Sequence, residues 1–549
     1  LSSTALIDLT LEEHLSDYSN TDPSSLWQYP YPSQRMPVMG CNAVATSQPL
    51  AAQAGLRMLL QGGNAVDAAL ATAIALTVVE PTSNGLGSDA FALVWDGSTL
   101  TGINGSGRSP HQWTPERFAG QDAMPEHGWE TVTVPGAVDT WVRLSERFGR
   151  LPFEALFEPA VAYAEKGYPV SPITALRWAE AAETYANFEA FTATFLTKGQ
   201  PPRPGDIFRC PDMAATLRDI AATRGESFYR GALAQAITAD AAAHDAAMTL
   251  EDLAGHRSEW VTPLAVPYRD VHVHEIPPNG QGLAALIALG VLDHLDLSAF
   301  PTDSAESLHL QIEAMKIGFA LAARHIADPQ WMTVAPETLL DQNLLARQAE
   351  TIRMDRAADP AATLPFDAGT VYLTAADRNG GMVSMIQSNF TGFGSGIVVP
   401  GTGISLQNRA RGFTLEEGHP NEVGGGKRPY HTIIPGFVTR NGKPLLSFGV
   451  MGGYMQPQGH VQMVVRLFDY GQNPQAACDA PRWHIAEDGR ISLENGTPAH
   501  VGDELARKGH VIVAEDPYWG YGGAQLVLKN GDAWCAASDP RKDGLAVAY

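Results

Sequence analysis

The sequence predicts an α+β protein, with a helix-rich first two-thirds and a strand-rich last third around a mixed core. Three observations point there. Apolar residues recur at i, i+3 and i+4 in segments between 135 and about 360. Past 365 the texture changes to short apolar runs around Asp-Arg-Asn-Gly and Asn-Gly turns. With 44% hydrophobic and 18% charged residues, the 549-residue chain has the composition of a packed protein. At roughly 150 residues per domain its length corresponds to about three or four domains, although α/β chains of this size also build one large body. A core is affordable at this length, because the buried fraction of surface rises with size.

The elements follow in order. Residues 1 to about 35 read as an extended lead-in, since Pro30, Pro32 and Pro37 oppose helix. The first strong helix is the Ala-rich stretch from Pro49 to Leu60. Gly62-Gly63 stops it and Asn64 caps the next. Ala65 to Val79 is apolar nearly all round, which predicts a buried helix, ended by Pro81. Ser88 to Trp95 reads as a strand. LPFEALFEPAVAYAEKGY and SLHLQIEAMKIGFALAARHIA carry helical spacing, and PPNGQG at 277–282 is a turn that leads into another apolar helix. TVYLTAADRNGGMVSMIQSNF is a strand hairpin, FGSGIVVPGTG a glycine-rich loop with a strand in it, and HTIIPGFVTRNGKPLLSFGV two strands hinged on Asn-Gly. The last clear helix is HVQMVVRLFDYG. No repeat of fixed period is evident.

Charge and composition exclude several functions. The net charge of −23 opposes binding to nucleic acid or to an anionic membrane surface. No apolar run reaches the length of a membrane helix. Cys41, Cys210, Cys478 and Cys535 are scattered, without a CxxC pair, so they imply neither a disulfide framework nor a zinc site and are expected to be buried. The N-terminal stretch is acidic and lacks a basic n-region; it points to the cytoplasm, with a periplasmic or secreted location left open because numbering begins at a leucine. His272-x-His274 alternates as a strand would and reads as structural, and GGGKRP at 424–429 lacks the Ser/Thr and spacing of a phosphate loop. No metal site is expected.

The informative pair is Gly369-Thr370. A threonine hydroxyl is a poor nucleophile until a base takes its proton, and at the start of a chain its own α-amine does so. That amine has a reference pKa near 8, so a useful fraction is neutral at pH 7. Such a chain must first be cut before the threonine, and a preceding glycine eases the strained backbone this requires.

By itself Gly-Thr is common; its surroundings single it out. DAGTVYLTAADRNGGMVSMIQSN, FGSGIVVPGTGISLQNR, GGGKRPYHTIIPGF and SFGVMGGYMQPQGH together resemble the small catalytic subunit of γ-glutamyltransferases. GGNAVDAALATAIALTVVEPTSNGLG, VPGAVDTW and PPNGQG resemble that family's large subunit, so the likeness spans about Val44 to Gly496. It implies the four-layer αββα sandwich of N-terminal-nucleophile hydrolases. It also implies self-cleavage between Gly369 and Thr370 into a helix-rich fragment 1–369 and a catalytic fragment 370–549, which stay together as a heterodimer. Thr370 would attack an amide carbonyl and form an acyl-enzyme, released by water or by an amine acceptor, with no cofactor. Gly452 and Gly453 match the oxyanion-hole pair, and Ser388 the second hydroxyl beside the nucleophile. The family's following asparagine falls on Phe390, with Asn389 one residue away.

Departures gather in the acyl pocket. The acidic pair that precedes a Phe in the family is absent from Gln407-Asn408-Arg409-Ala410-Arg411-Gly412-Phe413. Two serines after KRP, which hold the substrate carboxylate there, align with His431 and Thr432. The large-subunit Arg that shares this task has Arg108 as its nearest match, two positions out of register. Arg409 and Arg411 in place of acids form either a cationic pocket or structural salt bridges. The overall pattern implies action on γ-glutamyl amides such as glutathione. A different acyl group, glutaryl-type as in cephalosporin acylases or oxamate-like, is the alternative, and a catalytically inactive amide-binding relative is a third reading.

Overall fold

The computed structural model describes residues 35–358, 369–513 and 518–549; most of the expected lead-in, residues 1–34, lies outside them. Two seven-stranded sheets organise the chain, and each draws on both ends of the sequence. Along the chain their strands are β1 (Val38–Gly40), β2 (Ala43–Thr46), β3 (Asp89–Trp95), β4 (Leu100–Asn104), β5 (Glu259–Val261), β6 (Leu264–Tyr268) and β7 (Val271–Glu275). Then follow β8 (Gly369–Ala376), β9 (Met382–Phe390), β10 (Gly436–Arg440), β11 (Lys443–Met451), β12 (Gly523–Asn530), β13 (Ala533–Ser538) and β14 (Leu545–Ala548). One sheet has the order β1-β13-β12-β11-β10-β7-β6, the other β14-β2-β8-β9-β3-β4-β5, and all their pairings are antiparallel.

The strands alternate, and the alternation sorts their side chains. Ala90, Ala92 and Val94 of β3, with Val371, Leu373 and Ala375 of β8, join the helices α1 (Pro49–Leu60) and α2 (Ala65–Val79) in one apolar cluster. Their neighbours Phe91, Leu93, Tyr372 and Ala376 belong to a second cluster, which also contains Phe437, Met451, Val527 and Trp534 of the other sheet. That sheet's remaining positions, among them Val438, Leu446, Phe448 and Val450, join a third cluster with the helices α3 (Gly282–Asp293), α4 (Ala305–His325) and α5 (Met455–Phe468). Each sheet is therefore apolar on both faces, which is why its strands read as near-continuous hydrophobic runs.

Local signals set the boundaries. Asn64 closes a capping box with Asp67 at the start of α2, and all fifteen residues of that helix are buried. The β8–β9 hairpin forms as the Asp-Arg-Asn-Gly turn predicts, and β10–β11 turns at Asn441 and Gly442, both with positive φ.

The stretch from 135 to about 360 is mostly helical, as its spacing predicts, with residues 259–275 supplying three sheet strands within it. Two expectations are corrected. The 460–471 helix is not the last: Pro474–Asp479 and the amphipathic Ala499–Arg507 follow it. Cys41 is exposed, whereas Cys210, Cys478 and Cys535 are buried.

Residues Pro37–Tyr549 form one compact unit. Each sheet mixes strands from both sides of the Gly369–Thr370 bond: β8 pairs with β2 and β9 with β3 in one, β13 with β1 and β10 with β7 in the other. No described helix is long and apolar enough to cross a membrane.

Candidate active site

Thr370 is the second residue of β8, where the pairing with β9 is irregular. Gly369 pairs with Phe390 and Val371 with Gln387, so Ser388 and Asn389 together face the single Thr370. This β-bulge re-aims two neighbouring side chains. Ser388 turns to Thr370, whose Oγ1 donates to Ser388 Oγ at 3.2 Å. Asn389 turns away: its Oδ1 accepts from Ser88 Oγ at 2.8 Å and its Nδ2 donates to Ser405 Oγ at 3.2 Å. The neighbouring asparagine therefore does not recover the family's position, and Phe390 stands there with a φ of 78°. Thr370 and Ser388 are both buried. Ser388 Oγ donates to the Gly369 carbonyl at 2.7 Å and accepts from Phe390 N at 2.7 Å.

A chain of hydrogen bonds leads from this hydroxyl pair to the other sheet. Arg409, buried in a short 3₁₀ turn (Arg409–Gly412), donates from Nη2 to Ser388 Oγ at 3.1 Å and from Nη1 to Thr432 Oγ1 at 2.8 Å. Its guanidinium lies 4.4 Å from the centre of the Phe390 ring, within cation–π range. Arg409 Nε is buried without a hydrogen-bond partner. Gln281 then binds two carbonyls through Nε2, Thr432 O at 2.6 Å and Gly453 O at 2.9 Å. Gly452 and Gly453, with φ of 123° and 56°, form the turn from β11 into α5. A Cβ at Gly452 would stand 3.2 Å from Gly522 Cα, so both space and φ select glycine there.

Asp89, at the start of β3, is the register partner of Ser388 and is fully buried. It accepts from Gly136 N at 3.1 Å and pairs with His431 Nε2 at 3.0 Å. His431 Nδ1 accepts from Ile433 N at 3.3 Å, so the ring proton sits on Nε2 and points at the carboxylate. Burial pushes the Asp89 carboxyl up to about 7, opposed by the Arg409 guanidinium and by backbone donors. Burial, then Arg409 and Arg428, hold the His431 imidazole well below its usual range and therefore neutral. Burial lowers Arg409 to about 9, opposed by Asp89, which leaves it cationic at neutral pH.

Two predicted pocket arginines are engaged by acids, although Arg411 stays beside the site, its guanidinium 5.8 Å from the centre of the Phe390 ring. Arg108 donates to Asp328 at 2.6 Å and to Gly426 O at 3.0 Å, and sits 3.7 Å from Glu259, so opposite charges already hold it. Arg411 pairs with Glu126 at 3.0 Å. Of the predicted set, Thr370, Ser388, Arg409 and Thr432 are hydrogen-bonded together, and His431 joins them through its neighbour Thr432 and through Asp89. Asp89 and Gln281 went unnoticed in the sequence. An acid inside the apolar run SDAFALVW was a usable signal for the first; Gln281, in a turn, offered none.

The remaining motifs are structural. His274 Nε2 lies 2.9 Å from Thr439 Oγ1 within its sheet, and Lys427 Nζ donates to Glu422 O at 2.6 Å. Among the described residues, His309, Glu313 and His510 bring three potential metal-ligand atoms within 4.8 Å of one another. They are bonded internally instead: His309 Nδ1 to His510 Nε2 at 2.8 Å, and Glu313 Oε1 to Lys316 Nζ at 2.8 Å. Glu313 and Lys316 also grip Ala358 N and O, at 2.8 and 2.9 Å. The ammonium on the carboxylate opposes a metal cation, and the group reads as an anchor for the chain at Ala358.

Comparison with known proteins identifies relatives along nearly the whole chain. The chain is 36% identical to the glutathione hydrolase-like YwrD proenzyme of Bacillus subtilis (strain 168), over 91% of the chain and 96% of that protein. It is 35% identical to the oxamate amidohydrolase proenzyme of Klebsiella pneumoniae, over 91% and 97%. The crystal structure of cephalosporin acylase from Bacillus halodurans superposes with a TM-score of 0.91 at 46% identity, covering 95% of this chain and 98% of that one. The family described as Gamma-glutamyltranspeptidase matches residues 51–549. The chain belongs to the gamma-glutamyltranspeptidase family.

Proposed function

We propose that this protein is a self-cleaving amide hydrolase whose Thr370 takes up an acyl group that carries a carboxylate. The observation that carries this reading is the buried, unpartnered Nε of Arg409, on a guanidinium whose Nη2 binds the hydroxyl beside Thr370. A guanidinium has five N–H donors, and the bonds to Ser388 and Thr432 use two. A carboxylate is the acyl substituent that fits the rest, because it accepts a planar fork in bidentate fashion. Only two hydrogen-bond lengths, 3.2 and 3.1 Å, link Thr370 Oγ1 to Arg409 Nη2 through Ser388, which favours a carboxylate close to the scissile carbonyl. Oxamate-like and short diacid monoamides meet that condition.

The mechanism follows from residue types. Thr370 Oγ adds to the amide carbonyl, its proton passing to its own α-amine once the Gly369–Thr370 bond is cut. The N–H groups of Gly452 and Gly453 would receive the oxyanion, in a turn that Gln281 holds beside Thr432. The amine then leaves with the proton, and water releases the acid. We read the two sheets flanked by helical clusters as a four-layer αββα sandwich, and fragments 1–369 and 370–549 as a heterodimer held by shared sheets. The proenzyme names of two relatives support the cut.

Action on γ-glutamyl amides is the second reading, supported by the family match. It requires an acid for the α-amino group. Asp89 and Glu126, the acids beside this cluster, are paired with His431 and Arg411.

The test compares the full-length protein with Thr370→Ala on a denaturing gel, then supplies cut enzyme with oxamate, glutaryl and γ-glutamyl amides. Two bands that vanish in the variant, with hydrolysis that needs the carboxylate and no α-amine, are expected. A strict need for the α-amine would return the γ-glutamyl reading. A chain that never cuts would leave an amide-binding relative.

A further inference from the structure

We propose that Arg409 is a positioning residue for self-cleavage: through Ser388, it fixes a hydroxyl proton on the carbonyl of the bond to be cut. The assignment rests on the self-cleavage reading above and concerns the uncut chain.

The argument is a count of protons and lone pairs. A serine hydroxyl has one proton and accepts two hydrogen bonds. Ser388 Oγ has three donors within reach: Phe390 N at 2.7 Å, Arg409 Nη2 at 3.1 Å and Thr370 Oγ1 at 3.2 Å. The two nitrogens are donors only, whereas the threonine hydroxyl can rotate or accept. The nitrogens are also the nearer pair, so they fill both lone pairs. The Ser388 proton is left the direction of its remaining close acceptor, Gly369 O at 2.7 Å. The Thr370 hydroxyl is the longest and the one rotatable donor of the three, so it is the one that can turn away from Ser388 to release its proton.

Both nitrogens are held in place. Phe390 adopts a φ of 78°, unusual for a bulky residue, and this conformation accompanies the short bond from its N–H to Ser388. The same residue offers its ring to the Arg409 guanidinium at 4.4 Å. Thr432 fixes Nη1, and Gln407 Oε1 accepts from Arg409 N at 2.6 Å. A charged donor on Ser388 Oγ strengthens its hydroxyl as a donor in turn.

The step balances without an outside reactant except water. Thr370 Oγ bonds to the Gly369 carbonyl carbon, and the C=O π pair moves onto the oxygen that Ser388 O–H holds. The oxygen pair returns, the C–N bond breaks, and the Thr370 hydroxyl proton goes to the departing nitrogen. The product is an ester from Gly369 to Thr370 Oγ with a free α-amine. Water then hydrolyses that ester, leaving a Gly369 carboxyl group and a Thr370 hydroxyl.

The experiment follows cutting over time in freshly translated full-length chain, for wild type, Arg409→Met, Arg409→Lys, Ser388→Ala and the Arg409→Met/Ser388→Ala double variant. Thermal unfolding of each uncut chain in a Thr370→Ala background monitors the fold. Loss of a donor on a developing oxyanion costs about 10²-fold or more, so Ser388→Ala is expected to slow cutting by at least that factor, and Arg409→Met by about tenfold. Arg409→Lys, which retains a charged donor, should recover most of the rate at an unchanged unfolding midpoint. The double variant should cut within about threefold of Ser388→Ala alone, since the two changes break one path. If Arg409→Met does not fold, Asp89→Asn/Arg409→Met, which removes both buried charges, takes its place. Wild-type rates in Arg409→Met, no recovery in Arg409→Lys, or a double variant slower by the full single-variant factor would each overturn the assignment. A wild-type chain that stays whole would overturn the self-cleavage reading together with it.

Discussion

Asp89 receives the Nε2 proton of His431 at 3.0 Å, with neither side chain exposed, across a sequence separation of 342 residues. The pair joins β3 of one sheet to the segment entering β10 of the other, and its carboxylate is the charge that offsets Arg409. Removing one partner of a buried pair leaves an uncompensated group. In Asp89→Asn one carboxylate oxygen becomes an NH₂ that faces either the His431 or the Gly136 N–H. We expect a loss of about 3 kcal/mol in urea unfolding, measured in a Thr370→Ala background so that cutting does not intervene.

Gly369 is expected to be irreplaceable for cutting. A Cβ there would stand 2.9 Å from Gly392 N, 3.0 Å from Thr82 O and 3.1 Å from Ser83 Cα, all backbone atoms that cannot swing aside. Gly369→Ala must shift the scissile carbonyl away from Ser388. Overpacking of this kind costs about 1–3 kcal/mol, so cutting on a denaturing gel should slow by about tenfold or more.

Gln281 should matter to hydrolysis through the Gly452–Gly453 turn. Gln281→Glu places a carboxylate oxygen against the carbonyls of Thr432 and Gly453, where Nε2 now donates at 2.6 and 2.9 Å. The turn would move off its position, and kcat/KM for amide hydrolysis by cut enzyme should fall by about 10²-fold. Unchanged kcat/KM would separate the glycine turn from the oxyanion.

His256 should make the fold acid-sensitive. Burial lowers its imidazole to about 4, with Arg428 and Arg108 acting the same way and Asp139 and Glu259 opposing. The unfolded chain binds the proton near pH 6.5 and the folded one only near pH 4, so stability is present above 6.5 and is lost as pH falls between those values. Relative to His256→Gln, the unfolding free energy of the wild type should drop by about 1–3 kcal/mol from pH 6.5 to 4.

The elements that were legible are those whose signals lie within a few residues. Asn64 and Asp67 form the α2 cap from three positions apart, and the Asp-Arg-Asn-Gly turn sets the β8–β9 hairpin. Strand β7 was legible in the alternation around His272 and His274, whereas β5 and β6 were missed because their runs are short, and Ala499–Arg507 because it follows a break in pattern.

At the site the boundary runs between residue types and aim. Residue order alone shows that a Gly-Thr pair opens a strand, that Ser388 lies on its hairpin partner, and that arginines stand where the family has acids. It takes the folded chain to show that the bulge opposite Thr370 turns Ser388 inward and Asn389 away, that Arg409 reaches the hydroxyl while Arg108 and Arg411 are held by acids, and that Asp89 meets His431. The reason is physical. Caps, turns and periodicity are settled by neighbours along the chain, whereas these contacts join separate strands and sheets, where one bulged residue reverses the face a side chain occupies.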